Sequence, residues 1–314
     1  MAVNTVEKKE NKTKELEQWM QMASPFAIHE GEIMVDEKAE EYGHYIELDP
    51  FQTEIVKSVN ALLFATRQLI KKYLIRQGAK VKDKLLDKQL KRLSYNNYLR
   101  KMACVSPDGS KSVSKTYTLD RKGKGFLRHM GVKVRLEGYV NDRIRTPGQV
   151  KKILAANQAM LAIAGNDKDI YIETAKMYIV NEKHPRNRLF RALGFVNAAG
   201  NDSYFIQPVR NEKDNVTDLL DKLYRMEKVI KKVGFSDLKI EKNLTVIVVA
   251  ENKVWMEYLK NLLEKKHYTH FRLAITYDRL IVSDLPLDKK IDSIRTTSFV
   301  QKVLSIAQNY WWYE

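Results

Sequence analysis

The chain has 314 residues, 44% of them hydrophobic, with 55 lysines and arginines against 39 aspartates and glutamates for a formal net charge of +16. That length and apolar content suffice for a substantial core and divide more naturally into two domains than one. The single cysteine, Cys104, excludes an internal disulfide framework and a cysteine-rich zinc site, and no apolar run is long enough to span a bilayer.

The opening stretch "MAVNTVEKKENKTKELEQW" has no signal-peptide hydrophobic segment, so the chain reads as soluble and cytoplasmic. Its charge is uneven. Met1–Pro50 holds 5 basic and 12 acidic residues, net −7, whereas Phe51–Val150 holds 23 and 7, net +16. Such asymmetry points to a polyanionic partner, against the plainer alternative of a basic solvated surface.

Residues 1–48 read as an acidic, partly ordered arm with one helical candidate, "NKTKELEQWMQMA". From Asp49 the pattern sharpens. "DPFQTEIVKSVNALLFA" spaces Ile55, Val59, Leu62 and Leu63 as a helix, with Asp49 as N-cap and Pro50 in the first helical position. Thr66 caps a second helix, "RQLIKKYLIRQG", which Gly78 stops. The third, within "VKDKLLDKQLKRLSYNNYLRKMACV", places Leu86, Leu90 and Leu93 at i, i+4, i+7. Lys84, Lys88 and Lys91 repeat that spacing two positions earlier, about 200° away around the helix. The lysines therefore project opposite the leucines.

"YLRKMACV" and "KTYTLD" read as strands joined by "SPDGSKSVS", whose Pro-Asp-Gly is a turn signal. Three helices and a basic hairpin make a winged helix-turn-helix over residues 49–145, whose third helix would enter a major groove. The residues expected to meet double-stranded DNA are Lys82, Lys84, Lys88, Lys91 and Arg92 on that helix. Arg100, Lys111 and Lys115 on the hairpin, and Arg121 and Lys122 in "RKGKGFLRHMG", complete the set. The last segment reads as wing surface followed by a short closing helix. A winged helix used for protein contacts is the competing reading.

Residues 146–314 read as an α/β domain. "RTPGQVKKILAANQAMLAIAGNDKD" is a helix capped by Thr146, with Pro147 first. Strands are expected at "IYIETAKMYIV", "RALGFVN", "SYFIQPV", "LTVIVVA", "FRLAITY" and "RLIVS". Helices are expected at "KDNVTDLLDKLYRMEKVIKKVG", "NKVWMEYLKNLLEKK" and the tail from Ser298 to Tyr313. The unbroken apolar run of "LTVIVVA" suits a strand buried on both faces.

Enzymatic chemistry is hard to find. His267 and His270 lack a companion ligand, and "RKGKGF" lacks the Walker lysine-threonine ending and a preceding apolar strand. A metal-dependent nuclease of the restriction-endonuclease type needs an acid near the end of one strand and an acid-x-lysine on the next. Here the second strand offers Gln207 and Val209, then Arg210, and "RALGFVN" offers no acid. The expectation is no metal, no cofactor and no catalysis. The alternative is an active nuclease using Glu173, Glu182 or Asp202.

In this order of parts the chain resembles the replication-relaxation proteins of plasmids, phages and integrative elements. The likeness runs from Asp49 to Ser283 and rests on "TRQLIKKYL", "YTLDRKGKGFL", "ANQAMLAIAG" and "SYFIQPVRNEKDNVTDLLDKLYRME", with Arg210, Lys222 and Tyr224 at matching positions. It implies an α+β chain: a winged helix-turn-helix and a degenerate restriction-endonuclease-like core. It also implies a DNA-binding accessory or regulatory role in replication, transfer or transcription, with replication or mobilisation proteins among the partners. A homodimer is expected through the second domain, and no membrane association.

Overall fold

The computed structural model describes residues 33–35, 47–104, 115–135, 147–175, 177–179, 188–198, 202–210, 215–235, 240, 243–266, 268–283 and 285–294. It is a mixed α+β protein in which one long helix joins two sets of elements.

The first set begins with β1 (Ile33–Val35), followed by α1 (Pro50–Leu62), β2 (Ala65–Thr66), α2 (Arg67–Arg76) and α3 (Asp83–Tyr95). It ends with β3 (Leu99–Cys104), β4 (Lys115–Leu119) and α4 (Arg121–His129). The expected caps form. Asp49 and Gln52 make a reciprocal capping box on α1, the Gln52 N–H donating to Asp49 Oδ1 at 2.7 Å and the Asp49 N–H to Gln52 Oε1 at 3.1 Å. Thr66 Oγ1 accepts from the Leu69 N–H on α2, and Gly78, at φ +89°, ends it.

The strands form an antiparallel sheet in the order β1-β3-β4-β2, with Thr66 opposite Thr116 and Leu99 opposite Leu119. Two expectations change here. Ile33–Val35, expected in an acidic arm, instead pairs with Met102–Cys104 as the outer strand of this sheet. "RKGKGFLRH" is itself α4, capped by Asp120. Gly123 is needed there because a Cβ would lie 2.2 Å from the Tyr98 carbonyl oxygen, so the helix seats directly on the chain entering β3. Lys124 is consequently buried, not on a basic surface.

The chain leaves α1 through a tight γ-turn at Leu63 (φ 61°, ψ −53°), closed by the Phe64 N–H donating to the Leu62 carbonyl at 2.7 Å. Four successive carbonyls at this corner are satisfied by side chains from elsewhere. Arg135 Nη1 donates to Ala61, Thr118 Oγ1 to Leu63, and Asn157 Nδ2 to both Leu62 and Phe64. These distant partners hold a backbone conformation that costs on the order of 1–3 kcal/mol.

Asn157 belongs to α5 (Pro147–Ala164), the joining helix. Its Val150, Ile153, Leu154 and Leu161 enter the core formed by α1–α4, while Ala156, Ala159 and Met160 pack on the second sheet. That sheet comprises β5 (Tyr171–Thr174), β8 (Gly194–Ala198), β9 (Asp202–Val209), β10 (Asn243–Ala250), β11 (Arg272–Tyr277) and β12 (Asp292–Ile294), in the order β12-β11-β10-β9-β8-β5. β6 (Met177–Ile179) and β7 (Arg188–Arg191) form a separate ribbon. β9, β10 and β11 are mutually parallel, and β5, β8 and β12 are antiparallel to their neighbours. The two parallel crossovers are α6 (Asn215–Val233) and α7 (Lys253–Leu263), packed on the face opposite α5. Short helices α8 (Asp278–Ile281) and α9 (Leu287–Lys290) precede β12.

Two expected strands are corrected. "IYIETAKMYIV" is not one strand: Ala175 takes φ 53°, and its halves, β5 and β6, pair in different sheets. "RLIVS" is not a strand but lies largely in α8, because Asp278 is drawn into a buried ion pair as β11 ends and the chain turns there. Thr146 and the tail from Ser298 to Tyr313 lie outside the described residues.

Candidate nucleic-acid interface

α3 is built to show two unlike faces. Leu86, Leu90 and Leu93 are at most 1% exposed in the core, and Gln89 is buried with its Oε1 accepting from Gln52 Nε2 at 2.8 Å. Lys84, Lys88 and Lys91 are exposed on the side away from the leucines, and Lys82 and Arg92, which do not share their spacing, are exposed as well. No described residue forms an ion pair with Lys82, Lys84, Lys88, Lys91 or Arg92.

The helix also carries two acids, Asp83 and Asp87, one turn apart on the flank toward α2. Arg67 pairs with both, at 2.6 Å to Asp83 Oδ1 and in a closer contact to Asp87 Oδ1, and Lys71 Nζ donates to Asp83 at 2.8 and 3.0 Å. Hydrogen bonds from Lys71 and then Arg67 hold the Asp83 carboxyl below its ordinary range, and Asp87 and Asp83 raise Arg67. The acids of α3 are thus matched by cations of α2, and the lysine face keeps its full charge.

Two exposed side chains on this face escaped the sequence reading. Tyr95, 82% exposed, continues the lysine file at i+4 from Lys91, and Leu85, 40% exposed, lies beside Lys84 in the first turn. Tyr95 was legible from the same spacing. Leu85 was not, because a leucine in a leucine-rich helix reads as core.

The other expected contacts are spread out. Arg100 is half-buried on β3 opposite Thr118, and Lys115 is exposed at the start of β4. Arg121 and Lys122 lie in the first turn of α4, not on a hairpin. Lys111 lies outside the described residues.

The second sheet was expected to hold no metal. Gln207 and Val209 project toward α6 and α7, where Val209 packs in the apolar cluster and Gln207 is 2% exposed. Arg210 points the other way. Its guanidinium donates to both carboxylate oxygens of Asp278, at 2.7 and 3.1 Å, and Gln158 Nε2 donates to the Asp278 carbonyl.

The alternative acids do not converge. Glu173 lies across from Phe195 and, through it, Phe205, three residues along β9 from Asp202. An offset of three residues places the two side chains on opposite faces, about 10 Å apart along the strands and about 10 Å across two strand spacings. Glu173 is also engaged by Arg135 at 3.3 Å and by the Tyr171 hydroxyl at 2.8 Å, and Tyr171, pushed up to about 12 by burial and then by Glu173, keeps its proton. Glu182 lies outside the described residues, and among those described no three metal-ligating side chains gather.

Among the described residues no helix is long and apolar enough to cross a membrane. No protein-family model matches the chain, and no curated protein matches it.

Proposed function

We propose that this chain is a double-stranded DNA-binding protein that docks α3 in the major groove and uses its second sheet as a non-catalytic platform for dimerisation or partner binding. The observation that carries the reading is the outward side of α3: four exposed cations on one short helix and a fifth, Lys82, at its N-cap, with its two acids already paired to α2. Phosphate neutralisation supplies most non-specific affinity, and that face offers the charge for it.

The order of elements supports a winged helix. Three helices are followed by the hairpin β3–β4, with β2 added to β4, and α5 packs on α2 and β2, so that among the described residues the lysine side of α3 stays exposed. In that class the second helix of the helix-turn-helix pair lies in the groove and the hairpin reaches the flanking backbone. The order α5, the antiparallel strands β5, β8 and β9 with the β6–β7 ribbon inserted after β5, α6 and the parallel strand β10 supports the restriction-endonuclease-like reading of the second part, with Gln207 and Val209 where carboxylates would be needed. A regulatory or accessory protein of a plasmid or phage, related to the replication-relaxation proteins, fits both halves.

The test is fluorescence anisotropy with a labelled 30-base-pair duplex and the full chain. We expect binding that falls steeply with salt and disappears in the triple variant K84E/K88E/K91E, whose circular dichroism stays unchanged. Undiminished binding by that variant removes α3 from the interface. In the same preparation, magnesium or manganese with supercoiled plasmid should give no nicking; nicking abolished by E173A or D202A would make the chain a nuclease.

A further inference from the structure

We propose that Leu85 reads the C5-methyl group of a thymine, so that the chain selects sites with a T at one fixed position. The inference rests on the DNA-binding reading above and adds to it the base that is recognised.

A helix entering the major groove meets base edges with its N-terminal residues. The first four residues of α3 are Asp83, Lys84, Leu85 and Leu86. Asp83 is held by Lys71 and Arg67, and Leu86 is fully buried. Only Lys84 and Leu85 remain to face the groove in that turn. One turn later the polar candidate, Gln89, is buried and bonded to Gln52, which removes it from base contact. Lysines at exposed ends act as point charges and fix register on phosphates, and such contacts carry no sequence information.

Leu85 is therefore the one uncharged group in the first turn that is available to a base edge. Its exposed methyl groups have a single apolar match in the major groove, the thymine C5-methyl, which no other base presents. The neighbours fit this task. Lys84 beside it and Lys88 one turn on are set to hold phosphates, which would press the apolar tip of Leu85 onto the base edges between the strands. Tyr95, ten residues later, is about 15 Å further along the helix and serves a different part of the site.

The experiment selects preferred duplexes from a random library with the full chain. It then replaces each thymine of the selected site, one at a time, by deoxyuridine, which removes only the methyl group. We expect one position where this lowers affinity about fourfold, the equivalent of one buried methyl group. In L85A that penalty should vanish while the salt dependence, which follows the lysines, is unchanged. Three outcomes overturn the proposal: no preferred sequence, no thymine at which deoxyuridine weakens binding, or a penalty that persists in L85A. If the chain binds no duplex at all, the DNA-binding reading fails with it; if duplex binding is normal and only the methyl effect is missing, the failure is confined to Leu85.

Discussion

Lys71 on α2 donates to both carboxylate oxygens of Asp83 on α3, at 2.8 and 3.0 Å, and so takes an acid of the basic helix out of its field. Arg67 does the same for Asp87. These contacts are exposed and contribute little to stability. Their effect is on the potential over α3. Removing both cations in R67A/K71A should leave Asp83 and Asp87 unmatched and weaken duplex binding. An unaltered dissociation constant at low salt would show that the pairs have no such role.

The same pairing sets a pH dependence. The folded carboxyl of Asp83 lies below its unfolded value of about 3.9, so the pair's stabilisation is complete above that value and lost as pH falls through the lowered folded pKa. Carbon-detected NMR titration should place Asp83 below the unfolded value and find it moved back toward about 3.9 in K71A. A titration midpoint indifferent to K71A would contradict the geometry.

If the lysine file meets phosphates, each lysine lost should reduce the slope of log K against log salt by about 0.9. Single variants K84A, K88A and K91A give three independent measurements of that slope. A charge acting only at long range would change affinity without changing the number of released ions in this stepwise manner.

Deleting residues 1–46 should have two separable consequences. It removes β1 and leaves the edge of β3 unpaired, which should lower the melting temperature. It also removes most of the acid of a segment whose first fifty residues carry net −7, which should raise non-specific duplex affinity at low salt. Calorimetry reads the first and anisotropy the second. Lowered affinity in a still-folded truncation would make the segment part of the interface.

Arg210 and Asp278 form a pair with no more than 2% of either side chain exposed. D278A would strand a buried guanidinium and should destabilise the chain by about 3–5 kcal/mol in urea unfolding. The double replacement R210M/D278L should recover much of that loss. A single variant as stable as the parent would mean that water reaches the site.

Asn157 satisfies the carbonyls of Leu62 and Phe64 and accepts from Thr174 Oγ1 at 2.7 Å, all within the interior. In N157A each group left without a partner should cost about 1–3 kcal/mol. Because these contacts link α5 to the corner of α1, hydrogen exchange should quicken at both. Faster exchange confined to α5 would show that the corner holds itself.

The sequence by itself determined the parts whose signals lie within one or two turns of chain. The Asp49 and Thr66 caps, the Gly78 stop, the opposed leucine and lysine files of α3, and the apolar run of β10 all depend on neighbours fewer than about ten residues away. What crosses longer distances was decided only in three dimensions. Ile33–Val35 becomes a strand because β3 offers an open edge some seventy residues on, and "RKGKGF" becomes a helix seated on Tyr98. "RLIVS" folds as α8 where Asp278 meets Arg210, 68 residues earlier. Leu85 is exposed, although its apolar character reads as core, because Leu86, Leu90 and Leu93 already fill the inner side of α3. A hydrophobic period states how many apolar faces a helix has. Which of them finds a partner depends on the shape of everything packed against it.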